Sequence, residues 1–183
     1  MRGDDNHLLH RLIRETIRSE ALALEYPARE ARRIGPMPPI EALQAVADHA
    51  MLMQGRFTMV IEGHEVDRQL SPGRISATLG SLRHLIVDRT VDPESAYRAA
   101  LLDLRHGMEV VKLLRELARR EMVFGLIRWS DDWLGARRTL LARAEAQIGW
   151  FAELEAVQEE LATVEALEDE FEPTPVSTET DLR

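Results

Sequence analysis

Residues 92–124 read DPESAYRAALLDLRHGMEVVKLLRELARREMVF, and the fold class follows from this stretch. Asp92 supplies a capping carboxylate, Pro93 a residue pre-set for the first helical turn, and Glu94 a further negative charge at the positive end of the helix dipole. Leu101, Leu104, Met108, Val111 and Leu114 then recur at steps of three and four, the spacing of one helix face. Leu102, Val110, Leu113 and Leu117 broaden that face. The pattern predicts one long helix to about Phe124, with an apolar face wide enough for the middle of a bundle.

The same period repeats on both sides of it. Leu9, Ile13, Ile17, Leu24, Ala28 and Ala31 predict a first helix over His7 to Ile34, with Pro27 as a kink point. Gly35-Pro36-Met37-Pro38-Pro39 cannot remain helical, because three of its five residues lack a backbone donor. A second helix is expected from about Ile40 to Arg68, carrying Leu43, Val46, Ala50, Met53, Phe57, Val60 and His64. Ser71-Pro72-Gly73 opens a short third helix marked by Ile75, Leu79, Leu82 and Ile86. After Gly125, Ser130 is a candidate cap for a fifth helix with Asp131 and Asp132 in its first turn. Leu141, Ala144, Ile148, Phe151, Leu154, Leu161 and Val164 carry that helix to Glu168, about 57 Å at 1.5 Å per residue. No strand pattern and no internal repeat is present.

The 183 residues are 45% hydrophobic and 30% charged, with a mean hydropathy of −0.25 and no run near the ~20 apolar residues that a bilayer span needs. Eleven of the 32 acids but only one of the 23 Lys and Arg residues lie in 152–183, so residues 1–151 carry 21 acids and 22 bases. The net charge of −9 is therefore a property of the C-terminal end. A near-neutral body gives no electrostatic argument for nucleic acid. One helical domain is expected over 1–168, followed by a disordered acidic and polar tail over 169–183. Cysteine is absent, which excludes disulfides and thiolate chemistry. The first residues, MRGDDNH, carry acids where a secretory signal carries bases, so a cytoplasmic location is expected.

Two long helices, a short one, then two more long ones, covering nearly all of 7–168, resemble the small stress-associated branch of the ferritin-like superfamily. The resemblance implies an all-α, antiparallel four-helix bundle with an extra short helix between the second and third long ones. It also implies a di-iron site, with a Glu from each of two helices and a Glu-x-x-His pair from each of the others. No Glu-x-x-His occurs here. The nearest substitutes are Glu20 on the first helix stripe, Asp48 and His49 on the second, His106 and Glu109 in reversed order on the fourth, and Glu145 on the fifth. Iron or manganese is the metal such a set would hold.

Each of these residues also has a plain reading. Glu20 can be a rim carboxylate paired with Arg, Glu145 can be salt-bridged to Arg138 or Arg143, and the remaining pairs can be boundary residues. Arg32-Arg33, Arg119-Arg120 and Arg137-Arg138 read as solvated helix-end cations, and Met37, Met51, Met53 and Met59 as core fillers. Trp129 and Trp133, four apart on one face, suit either a dimer interface or the bottom of the core. A hemerythrin-like bundle is the nearest other iron architecture, but its i, i+4 ligand pairs are missing. Phosphate-loop, zincin, nucleophile-elbow and dinucleotide motifs are absent as well, so an enzyme is not the first expectation. The readings left are a structural or interaction protein with a degenerate di-iron site, acting as a homodimer, an iron- or manganese-binding oxidase-like or iron-handling protein, or an adaptor that meets a partner through its acidic C-terminal end.

Overall fold

The computed structural model describes residues 2–62 and 92–157, which are helical apart from short turns. Among the described residues, four helices belong to the first unit, which extends to Ile148: α1 (Arg2–Ile34), α2 (Pro38–Glu62), α3 (Pro93–Arg120) and α4 (Phe124–Glu145). α1 packs on α2 and α3, and α4 packs on the same two, so the four close a ring in the order α1, α2, α4, α3. Ile13, Leu43, Val46, Leu114, Leu126 and Trp133 are among the side chains sealed inside it. The second unit begins at Gly149, and in it residues 149–157 are helical, with Trp150 and Phe151 edge to face at 5.1 Å between ring centroids. Among the described residues no helix is long and apolar enough to cross a membrane.

Local chemistry accounts for the helix ends. α1 runs through Pro27 and stops where Gly35 takes φ 76° and its N–H reaches the carbonyl of Ala31 at 2.9 Å, a left-handed cap that glycine adopts without steric cost. Met37 then accepts from Ile40 at 2.8 Å, with Pro38 in the first helical position of α2. At the start of α3 the Asp92 carboxylate accepts from the backbone N–H of Ser95 at 3.0 Å, as its sequence predicts.

The α3–α4 connection differs from the sequence expectation. Met122 takes φ 58°, its N–H bonds Arg119 at 3.3 Å, and the N–H of Val123 bonds Ala118 at 2.8 Å. This paired arrangement ends a helix in a Schellman motif with methionine in the left-handed position. The break therefore precedes Gly125, α4 starts at Phe124, and Ser130 is a buried interior residue instead of a cap. The expected continuous helix to Glu168 is also interrupted, by a turn at 146–147.

Burial corrects three further readings. Met37, Met51 and Met59 are exposed, whereas Met53 is buried. Leu102 and Leu113 are exposed too, while Val110 and Leu117 do broaden the inner face of α3. Trp129 and Trp133 lie within the four-helix core, Trp129 donating its indole N–H to the carbonyl of Met53 at 3.0 Å, so neither is available as an interface anchor. The short helix expected after Ser71, His64 and the tail at 169–183 lie outside the described residues.

Candidate functional site

Within the ring, a carboxylate and a guanidinium occupy positions that the helical period assigns to hydrocarbon. Glu20 lies three residues after Ile17 and four before Leu24, and it is 2% exposed. Arg137 lies four residues after Trp133 and four before Leu141, and it is 1% exposed. Arg137 Nη2 donates to both carboxylate oxygens of Glu20 at 2.8 Å, and Nη1 donates to the carbonyl of Val46 at 3.3 Å. Its Cζ lies 4.7 Å from the centroid of the Trp133 ring. One side chain of α4 thus ties α1 and α2 together while stacking on its own helix, a use that suits a planar, weakly hydrated cation.

Burial dominates the electrostatics. It raises the Glu20 carboxyl above its ordinary value, while Arg137 opposes the shift and the Trp133 indole N–H, short of hydrogen-bond geometry, helps. It likewise lowers Arg137, against the pull of Glu20. Half-buried His49 on α2 sits beside this pair, its ring centroid 6.3 Å from that of Trp133. Burial first, then Arg137 and Arg56, lower His49 to about 4, so its ring is neutral at physiological pH. Its Nδ1 is buried without a hydrogen-bond partner.

A wetter cluster lies on the α1–α3 seam. Glu15, Arg18, Ser19, Leu22, Asp103 and His106 line a cleft of about 240 Å³. Glu15 and His106 meet at 2.9 Å, and the Tyr26 hydroxyl donates to Asp103 at 2.7 Å. The helices come close here because Gly107 has no side chain: a Cβ at that position would stand 2.2 Å from Ser19 Oγ.

The six residues singled out as a metal set do not converge. Glu20 is held by Arg137. Asp48 is exposed on α2 and accepts from Gln44 at 2.8 Å. His49 is beside Arg137, a cation where a metal site needs anions. His106 is exposed and turned to Glu15, exposed Glu109 pairs with Lys112 at 2.6 Å, and Glu145 pairs with Arg105 at 2.7 Å, not with Arg138 or Arg143. Among the described residues no three His, Asp or Glu side chains are placed to hold a metal ion.

Arg137 is the residue that sequence reasoning missed, since a solvated helix-end cation is the ordinary reading of Arg137-Arg138. Its spacing from Trp133 and Leu141 was the available signal. Arg119-Arg120 and Arg32-Arg33 do occupy last turns, but Arg33 is not solvated, since it donates to buried Glu30 at 2.7 Å. No family model, no curated protein and no solved structure matches the chain.

Proposed function

We propose that the chain is a ferritin-like, antiparallel four-helix bundle in which an arginine–carboxylate pair stands where that superfamily keeps its di-iron site, and that it serves as a structural or interaction protein. Homodimerisation and a cytoplasmic setting belong to the same reading. The observation that carries it is Arg137 bound to both oxygens of Glu20 at 2.8 Å, deep between the helices. A carboxylate so neutralised is a poor metal ligand, because the cation must leave before a second cation can bind.

Residue pairing supports the antiparallel element. Trp129 with Met53 and Arg137 with Val46 run in opposite number order along α4 and α2. Arg115 with Asp131 and Arg105 with Glu145 do the same along α3 and α4.

Elemental analysis of protein purified without chelator tests this reading. The expected content is far below one iron or manganese per chain. Near-stoichiometric metal that is lost on Glu20→Ala and on Glu109→Ala would replace it with an oxidase-like or iron-handling function. Glu109 is exposed, so that second variant keeps the test informative where Glu20→Ala weakens the fold.

A further inference from the structure

α2 carries exposed apolar side chains outside the face that the four-helix ring uses. Leu43, Val46, Ala50, Met53, Phe57 and Ile61 point inward. Leu52 and Met59 lie on the other side, 55% and 66% exposed, with Met51 at their flank, 67% exposed. Single exposed hydrophobics are ordinary, and Leu52 and Met59 matter here because they stand seven residues apart, two turns along one face, with opposite charges on either side of Leu52. At 3.6 residues per turn, Asp48, Leu52, Gly55, Arg56 and Met59 fall within an arc of about 100°. Space is open in front of Gly55, where an added Cβ would meet nothing within 4 Å.

The charges on this face are arranged about its centre. Asp48 lies four residues before Leu52 and Arg56 four after it. Both are exposed, and Arg56 has no hydrogen bond or ion pair with any described residue. We propose that this face of α2 is a self-association surface, on which a second copy of the chain packs its own α2 antiparallel across a twofold axis at Leu52. This surface rests on the homodimer proposed above and assigns the face that forms it.

A twofold axis there makes residues equally distant from Leu52 level with one another. Asp48 of each copy then meets Arg56 of the other, giving two reciprocal ion pairs on either side of a Leu52–Leu52 contact. Met59 comes level with Ala45, a large residue over a small one. Glu41 and Glu62 of opposite copies also approach the same level, so the helices must cross steeply enough to splay their ends, as the class near −50° does. Gly55 near the crossing point allows the close approach that such a crossing needs.

Light scattering after size exclusion, at micromolar concentration, tests the surface. The wild type is expected to be a dimer. Asp48→Arg and Arg56→Asp each place like charges opposite one another and are expected to weaken the dimer at least tenfold, whereas the double exchange restores it. Because the chain has no cysteine, Leu52→Cys is a clean probe: mild oxidation should give a disulfide-linked dimer, and Leu102→Cys on α3, also exposed, should not. A wild-type dimer indifferent to all these exchanges overturns the surface and leaves the homodimer standing. A wild-type monomer overturns both. A monomer whose Leu52→Cys thiol resists a maleimide shows that another part of the chain covers the face, which also overturns the proposal.

Discussion

Glu15 and Glu20 lie five residues apart on α1, and each binds a nitrogen side chain from another helix, yet the two contacts work in different media. Glu20 and Arg137 are sealed, at 2% and 1% exposure, with a backbone carbonyl and an indole ring completing the site. Glu15 and His106 meet at the mouth of an open cleft, with side chains 38% and 63% exposed. In water a carboxylate loses little when its partner is removed, because solvent replaces it. In the core nothing replaces it, and the desolvation cost of each charge is offset only by the other. The same chemistry is thus structural in one place and incidental in the other.

The largest expected effect breaks the buried contact from one side. Arg137→Ala leaves Glu20 uncompensated and should cost about 3–5 kcal/mol in urea unfolding followed by circular dichroism. Replacing both groups with hydrocarbon, Glu20→Leu with Arg137→Met, should recover most or all of that loss, since a packed apolar pair needs no compensation. A double variant as unstable as Arg137→Ala would show that the pair holds the helices by more than charge balance.

His49 sharpens the comparison through pH. In the unfolded chain its imidazole takes a proton near 6.5, in the folded chain only near 4. Between these values the unfolded state binds more protons, so stability is lost as pH falls through that window and is present in full above it. The loss should not exceed about 2 kcal/mol, because half-exposure lets solvent screen the ring. Melting curves of wild type and His49→Gln should diverge below pH 6.5 and run parallel above it.

Smaller effects are expected on the α1–α3 seam. Gly107→Ala should be close to neutral, the helix-propensity gain of about 1 kcal/mol being offset by displacement of Ser19 Oγ. Adding Ser19→Ala removes the obstacle and should expose that gain as a higher melting temperature. Glu15→Gln should change stability by less than about 0.5 kcal/mol, and by less still in high salt.

The parts of this architecture legible in the sequence are those governed by local chemistry. Asp92-Pro93 fixes the start of α3, Gly35 the end of α1, and the period of Leu101 to Leu114 the inner face of α3. Met122 was not legible, because nothing in its identity signals a left-handed backbone, and Gly125 drew the break downstream. The exposed methionines of α2 escaped because apolar spacing gives the period of a helix, not how many of its faces neighbours cover. At the site, Glu20 was recognised as a charge on an apolar stripe. Arg137 is an equal anomaly by its spacing from Trp133 and Leu141, but an arginine followed by a second arginine reads as a solvated cation, and the partner that buries it is 117 residues away in the chain.

Arg137 holds the interior carboxylate of Glu20 on both oxygens, and in the function proposed above no metal competes for it. Any ligand that binds the folded state alone raises the melting temperature with its concentration. Melting the full chain in increasing anaerobic iron(II), and separately manganese(II), should give one unchanged melting temperature across the series. A saturable rise of several degrees, abolished by Glu109→Ala, would show metal bound in the folded state and return Glu20, Asp48, His49, His106, Glu109 and Glu145 to the role of ligands.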